Sequence, residues 1–418
     1  MALTNIEKLI QNSNWKNYRK FINHFLIYIM QRNILLSNIF FLSILLSSCI
    51  NNTNEEKVQI VSINTNNVEN LNAKKLFSKI ELIPLQTIDT CLIGNIRNVI
   101  FTDNYFIISD NNDVISLFDK FGKFISNSAK QKGSGPADYS ILFNISFNKF
   151  LNCIDLTTPR GLISYDTHFR FVKNTVLPSI TKKSKTNPGF FIDKVVAIDQ
   201  DKYVMLPTQV SENPNRIIFY DSKNKRVIKE ISYDDDVIAQ LTQQVQNFAF
   251  LNDSILAFNP PVFSNYHYLI NLKTMTLKKY FKFDLGMQNI KKEDLNKFNS
   301  EREKCDFLAF KSKNPLPLRT FFNFKYIITH IRKQNKYLTY FKQFGKTETC
   351  LINNKSTSGM QLPYFDELIN NVLYATIQPK DLEKFVNIEI MSDKDRALIK
   401  KVKVDDNPVI VKYYFKLK

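Results

Sequence analysis

The chain has 418 residues, 44% of them apolar, and a formal charge of +18. Length and apolar content fit a globular protein with a sizeable core, long for one domain yet within the range of all-β assemblies. The positive charge comes in short runs, Lys182-Lys183 with Lys185 and Lys400-Lys401 with Lys403. No dense Lys/Arg stripe interleaved with aromatics appears, so no nucleic-acid partner is expected.

Residues 34–48 form a short apolar stretch behind Arg32 and end in Leu46-Ser47-Ser48-Cys49. A comfortable membrane span needs about 17–25 residues, so the stretch reads as the apolar part of a secretory signal. The tetrad resembles the bacterial lipoprotein cleavage box, which implies lipidation at Cys49 and a membrane partner through acyl chains. The expected organisation is a signal at 1–48, with Met30 as an alternative start, then lipidated Cys49 and a flexible tether at 49–78, then the folded body at 79–418. Glu55-Glu56 in the tether resembles a surface-export signal of Bacteroidetes lipoproteins, with a plain linker as the alternative. The signal would remove Trp15, the single Trp, leaving no indole platform for sugar stacking among the remaining Phe and Tyr.

The body repeats one strand-rich unit six times. The clearest copy, at 104–125, reads Tyr105-Phe106-Ile107-Ile108-Ser109-Asp110, a turn, Val114-Ile115-Ser116-Leu117-Phe118-Asp119, then a Gly122 turn and a third strand. Repeats of this length predict a propeller. Four-strand units follow with innermost strands at 95–102, 141–147, 194–198, 247–251 and 320–324. A sixth unit, at 365–415, lacks one strand, which the strand at 79–85 would supply to close the ring. Two stretches at 291–310 and 379–402 are helix-like and read as insertions, with Asp381 as a candidate cap. The fold class is therefore all-β: a six-bladed β-propeller with two helical insertions and an N-terminal closing strand. The pairs Phe118-Asp119, Tyr165-Asp166 and Tyr220-Asp221 precede turns, where Asp hydrogen-bonds backbone two residues on, a structural duty and not a catalytic one.

With these units in view, the chain resembles the six-bladed β-propeller lipoproteins of Bacteroidales over about residues 79–418. The most specific segment is Gln131-Lys132-Gly133-Ser134-Gly135-Pro136-Ala137-Asp138-Tyr139, close to a G-x-G-P-G-E-Y pattern, with Ala137 for the usual Gly and Asp138 for the usual Glu. Asp405-Asp406-Asn407-Pro408 with its apolar continuation, and Ile93-Gly94-Asn95-Ile96, also match. Members are mostly uncharacterised, so the resemblance implies fold and envelope location, with the outer membrane favoured, and not an activity.

No residue set specifies a reaction. Gly133, Gly135 and Pro136 read as a blade connection, with the glycines serving positive-φ positions, rather than as an anion-binding loop. His168, His267 and His330 sit in different blades, so no metal site and no cofactor are expected. Cys91, Cys153, Cys305 and Cys350 form no CxxC pair and leave three disulfide pairings or free thiols open. Arg97, Asp138, Tyr139, Arg160, Tyr266 and Arg319 are the candidate ligand-binding residues, with solvated charges, cross-strand pairs or loop pins as the alternative. The leading reading is a lipid-anchored, non-catalytic binding module for a protein, peptide or glycan. The alternatives are a hydrolase or lyase using carboxylates at the channel mouth, and a structural subunit of an envelope complex. The oligomeric state is left open.

Overall fold

A computed structural model describes residues 58–178, 192–207, 215–233, 247–261, 264–355 and 359–416. The signal, Cys49, the tether up to residue 57 and the Lys182 cluster lie outside the described residues. Six antiparallel sheets follow one another along the chain. Their innermost strands are Ile96–Phe101, Asn144–Asn148, Ile192–Ala197, Phe248–Asn252, Leu316–Phe322 and Glu367–Ile369, for blades one to six. The sixth blade is completed by β2, Phe77–Pro84, which pairs antiparallel with the last strand, Val409–Phe415, in the register Ile80↔Tyr413. The ring is thus closed by its first and last strands.

The physical basis is visible in burial. The second and third strands of most blades are buried on both faces, as in Lys202–Pro207 and Arg216–Asp221. Such strands read as continuous apolar runs rather than alternating ones. Six apolar clusters fill the six gaps between neighbouring blades. Ile107 and Leu117 of blade one meet Ile154 and Leu156 of blade two; Ile83 and Ile410 of blade six meet Phe106 and Phe118 of blade one. The outermost strand of blade three, Arg226–Ser232, is polar and largely exposed.

Residues 58–78, expected within a tether, are folded onto the propeller. The strand β1, Gln59–Ser62, lies parallel to the outermost strand of blade four and makes it five-stranded. It buries Val61, and Ile63 just beyond it, against Phe281 and Phe283. A short helix, Ala73–Leu76, then leads into β2 with Asn72 as its cap.

Both insertions are helical. The first holds Lys292–Asn296 and Glu301–Asp306, followed by a π-helical turn at Phe307–Lys311 whose Leu308 and Ala309 carbonyls accept from Arg332. The second holds a 3-10 segment, Pro379–Phe385, and the helix Asp393–Lys401. Asp381 does not cap: its carboxylate accepts from Lys384 (2.6 Å). The cap is Ser392, whose hydroxyl accepts from Asp395 N. Buried Asp395 in turn accepts from Leu82 N of β2 (3.0 Å), which pins this helix to the closing strand.

The turn aspartates behave as their chemistry dictates. Asp119 Oδ1 accepts from Phe121 N and Lys123 N, and Asp166 Oδ1 from His168 N and Arg170 N. Asp221 Oδ1 accepts from Asn224 N, three residues on. All four described cysteines are free thiols. Burial pushes Cys153 up to about 11 and Cys350 up to about 12, which keeps both protonated and unreactive.

Candidate functional site: the axial channel

All six blades line one cavity of about 1060 Å³, five through their innermost strands and blade five through its first hairpin at 323–326. It lies at the upper end of the range for small-molecule sites, about 300–1,000 Å³. Strand direction fixes its geometry. Antiparallel pairing puts every hairpin between first and second strands on one face, and every hairpin between second and third strands on the other. Residues near those first hairpins form the mouth: Asp103, Lys149, Phe250, Phe324, Lys325 and Asn370. Residues nearer the starts of the innermost strands lie deeper: Asn98, Asn144, Lys194, Asn247 and Asp366.

The lining carries eight asparagine amides set among apolar and aromatic side chains. Asn247 is 2% exposed; its Nδ2 donates to Asn259 O (2.9 Å), while its Oδ1 has no partner. A buried carbonyl without a donor costs stability. Lys194 Nζ donates to Asn144 Oδ1 (3.0 Å), and burial lowers its pKa. Among the described residues no carboxylate lies within ion-pair distance of Lys194. Asp366 accepts from Thr376 N (2.7 Å) and pairs with Arg319 (3.6 Å); burial still raises its pKa.

None of the six residues singled out from sequence lines this cavity. Four of them cluster around the connection into blade two. Arg97 pairs with Asp113 (2.7 Å) and donates to Leu142 O (2.9 Å). Tyr139 is fully buried and donates to Asp113 O (2.6 Å) while bonded to Ser128 Oγ (2.5 Å). Arg160 donates to Gly135 O (2.8 Å) and to Asp138 O. Asp138 accepts from Gly135 N (3.0 Å). Their polar groups hold the connection together, on the face opposite the mouth. Tyr266 starts the third strand of blade four and sits between Lys279 and Lys282. Arg319 lies behind the cavity, donating to Phe365 O (2.7 Å) and stacking over Tyr364.

The glycines of the connection have a different cause from the one expected. Neither Gly133 nor Gly135 has positive φ. A Cβ on either would meet Asp138 Oδ2 at 2.6 or 2.7 Å, so glycine is needed for the close approach of that carboxylate. Their amides are consumed internally, Gly133 N by Tyr139 O and Gly135 N by Asp138, which leaves no anion-binding nest.

His267 and His330 are buried and neutral, each lowered to about 3 by burial. His330 accepts from Phe365 N (3.1 Å) and stacks on Tyr364; His267 bonds Asn259 (2.7 Å) and stacks on Phe281. Among the described residues no group of three or more His, Cys, Asp or Glu is placed to hold a metal ion, and no helix is long and apolar enough to cross a membrane. The channel residues carried no sequence signal beyond position. Asparagines at strand ends look like ordinary turn residues until the ring brings them together.

The profile of a domain of unknown function, DUF4934, matches residues 56–414. The chain belongs to that family. A crystal structure of a protein assigned as exported in Bacteroides fragilis NCTC 9343 is similar at 17% identity, covering 86% of this chain and 100% of that one, with a TM-score of 0.66. A member of the DUF4221 family from Bacteroides vulgatus ATCC 8482 aligns at 10% identity over 81% of this chain and 98% of its own, with a TM-score of 0.47. At such identities the likeness to the Bacteroides fragilis protein is one of fold. No curated protein matches this DUF4934 chain. The family match begins ahead of β1, which agrees with residues 58–78 being part of the propeller.

Proposed function

We propose that this DUF4934 protein is an exported binding module, held in the cell envelope by lipid on Cys49, that receives its ligand in the axial channel. The observation that carries the reading is the open cavity that all six blades line, five of them with amide side chains and several with aromatic rings. Pockets of this kind, apolar walls with convergent polar groups, are the usual ligand sites of folded domains. Binding is favoured over turnover because the deep carboxylate Asp366 is committed to Arg319 and Thr376 N. The envelope location rests on the apolar stretch ending in Leu46-Ser47-Ser48-Cys49 and on the similar fold of a Bacteroides fragilis protein assigned as exported.

The test uses the chain from Ile50 onward, which has no Trp. Phe324→Trp places an indole at the mouth, where Phe324 is 49% exposed. Panels of oligosaccharides and short peptides are then titrated while indole emission is followed. A saturable change that Ser146→Trp, an occluding substitution in the lining, abolishes is the expected result. Binding that Ser146→Trp leaves untouched would move the site away from the channel.

A further inference from the structure

Three adjacent blades each place one hydrogen-bond donor at the same depth in the channel. Asn98, Asn144 and Lys194 stand opposite Ser109, Thr157 and Leu206, each the fifth residue of the second strand in its blade. Lys194 Nζ donates to Asn144 Oδ1 (3.0 Å), which joins blades two and three at this level. Arg97 donates to Leu142 O (2.9 Å) and Phe143 O (3.3 Å), which draws Asn98 of blade one alongside Asn144. With its oxygen taken by Lys194, Asn144 keeps an unused Nδ2 donor. The Asn98 amide makes no hydrogen bond among the described residues. Neither is sealed from the cavity that both line.

No carboxylate answers the charge on Lys194. Asp193, beside it in the chain, acts on it only at a distance, as does Arg97 with the opposite sign. Asp366, across the ring, is held by Arg319 and Thr376 N. Lys149 of the same lining has its own partner in Asp253 (2.8 Å). Building on the channel reading, we infer that the ligand carries a carboxylate, with one oxygen against Lys194 Nζ and the other against the amide nitrogens of Asn144 and Asn98. An ammonium taken from water without an anion is costly, and a charge-assisted bond to a carboxylate relieves that cost. A monoanion fits better than a phosphate. The site supplies a single positive charge, and the lining contains no arginine fork and no glycine-rich nest of backbone amides. An acidic sugar and the C-terminus of a peptide both present this group.

The experiment is equilibrium ultrafiltration of the chain from Ile50, read by mass spectrometry, with two matched pairs of ligands. One pair is a uronic-acid trisaccharide and its methyl ester. The other is an N-acetylated random tripeptide library with free or amidated C-termini. One acid should be retained about tenfold or more above its neutral partner, the scale of one hydrogen bond to a charged group. The pair in which this happens names the source of the carboxylate. Lys194→Met should remove the preference and leave the neutral form unchanged, and Asn98→Leu should weaken the acid alone. The acid-against-neutral comparison uses the unaltered chain, so it stands even if a variant fails to fold. Equal retention of acid and neutral forms, retention of neither pair, or a preference that Lys194→Met leaves intact overturns the proposal. Tighter retention of a phosphorylated trisaccharide than of the uronic acid overturns it too. Equal retention that Ser146→Trp abolishes would overturn it while leaving the channel reading intact. If no ligand responds to Ser146→Trp, both fall.

Discussion

Tyr139 shows how a residue can look like a ligand contact and be a strut. Its ring lies between Leu142, Ile154 and Tyr165, and its hydroxyl bridges Ser128 and the Asp113 carbonyl. Tyr139→Phe should cost about 1–2 kcal/mol through the unsatisfied partners. Urea denaturation should show that as a lower midpoint with an unchanged slope, and ligand binding should be unaffected. The buried imidazoles set a pH response. For His267 and His330 the folded value near 3 lies below the ordinary 6.5, so protonation favours the unfolded chain. Their contribution is complete above about pH 6.5 and is lost as pH falls, by about 1.4 kcal/mol per pH unit for each. Asp155 opposes this: burial raises it from 3.8 to about 6, so its charged form costs stability above pH 6 and that cost is relieved as pH falls toward 3.8. Imidazole NMR should find two rings that do not titrate above pH 4 in the folded protein. Titration of both near 6.5 would contradict their burial.

At the scale of elements, the closure of the ring decides stability. Asn407 Oδ1 accepts from Ile93 N (2.8 Å), and its Nδ2 donates to Gln86 O (2.9 Å) and Cys91 O (2.7 Å). The two motifs at Ile93-Gly94-Asn95-Ile96 and Asp405-Asp406-Asn407-Pro408, distant in sequence, are therefore two halves of one clasp. Asn407→Ala leaves three backbone groups unpaired and should lower unfolding free energy by about 3 kcal/mol, measured as a shift in urea midpoint. The closing strand β2 was legible because Ile80, Leu82 and Ile83 give it an apolar pattern. Strand β1 was not: with only four residues, three of them exposed, it lies in an Asn-rich segment that reads as linker. What reveals it is tertiary, the seat for Val61 and Ile63 on Phe281 and Phe283. The six blades were legible for the opposite reason, since long apolar runs punctuated by turn aspartates and glycine recur whatever the tertiary context.

For the molecule as a whole, legibility stops at the axis. Six strand ends converge there, and convergence is not a property of any one segment. Asn98, Asn144, Lys194 and Asn247 are separated by some fifty residues each and meet only because the ring closes. Anchoring and binding make separate predictions at this scale. Cys49→Ala should release the protein from membranes to the soluble envelope fraction on fractionation, with channel binding unchanged. The central claim is that the channel is where this protein meets its ligand, and hydrogen–deuterium exchange tests it most directly. The chain from Ile50 is incubated with the low-mass fraction of native envelope, and exchange is mapped by peptide. The account predicts slower exchange at 98–105, 144–152, 247–251, 323–326 and 366–371, with the outermost strands unchanged. Protection confined to the outer strands or to the helical insertions at 292–311 and 379–401 would contradict it.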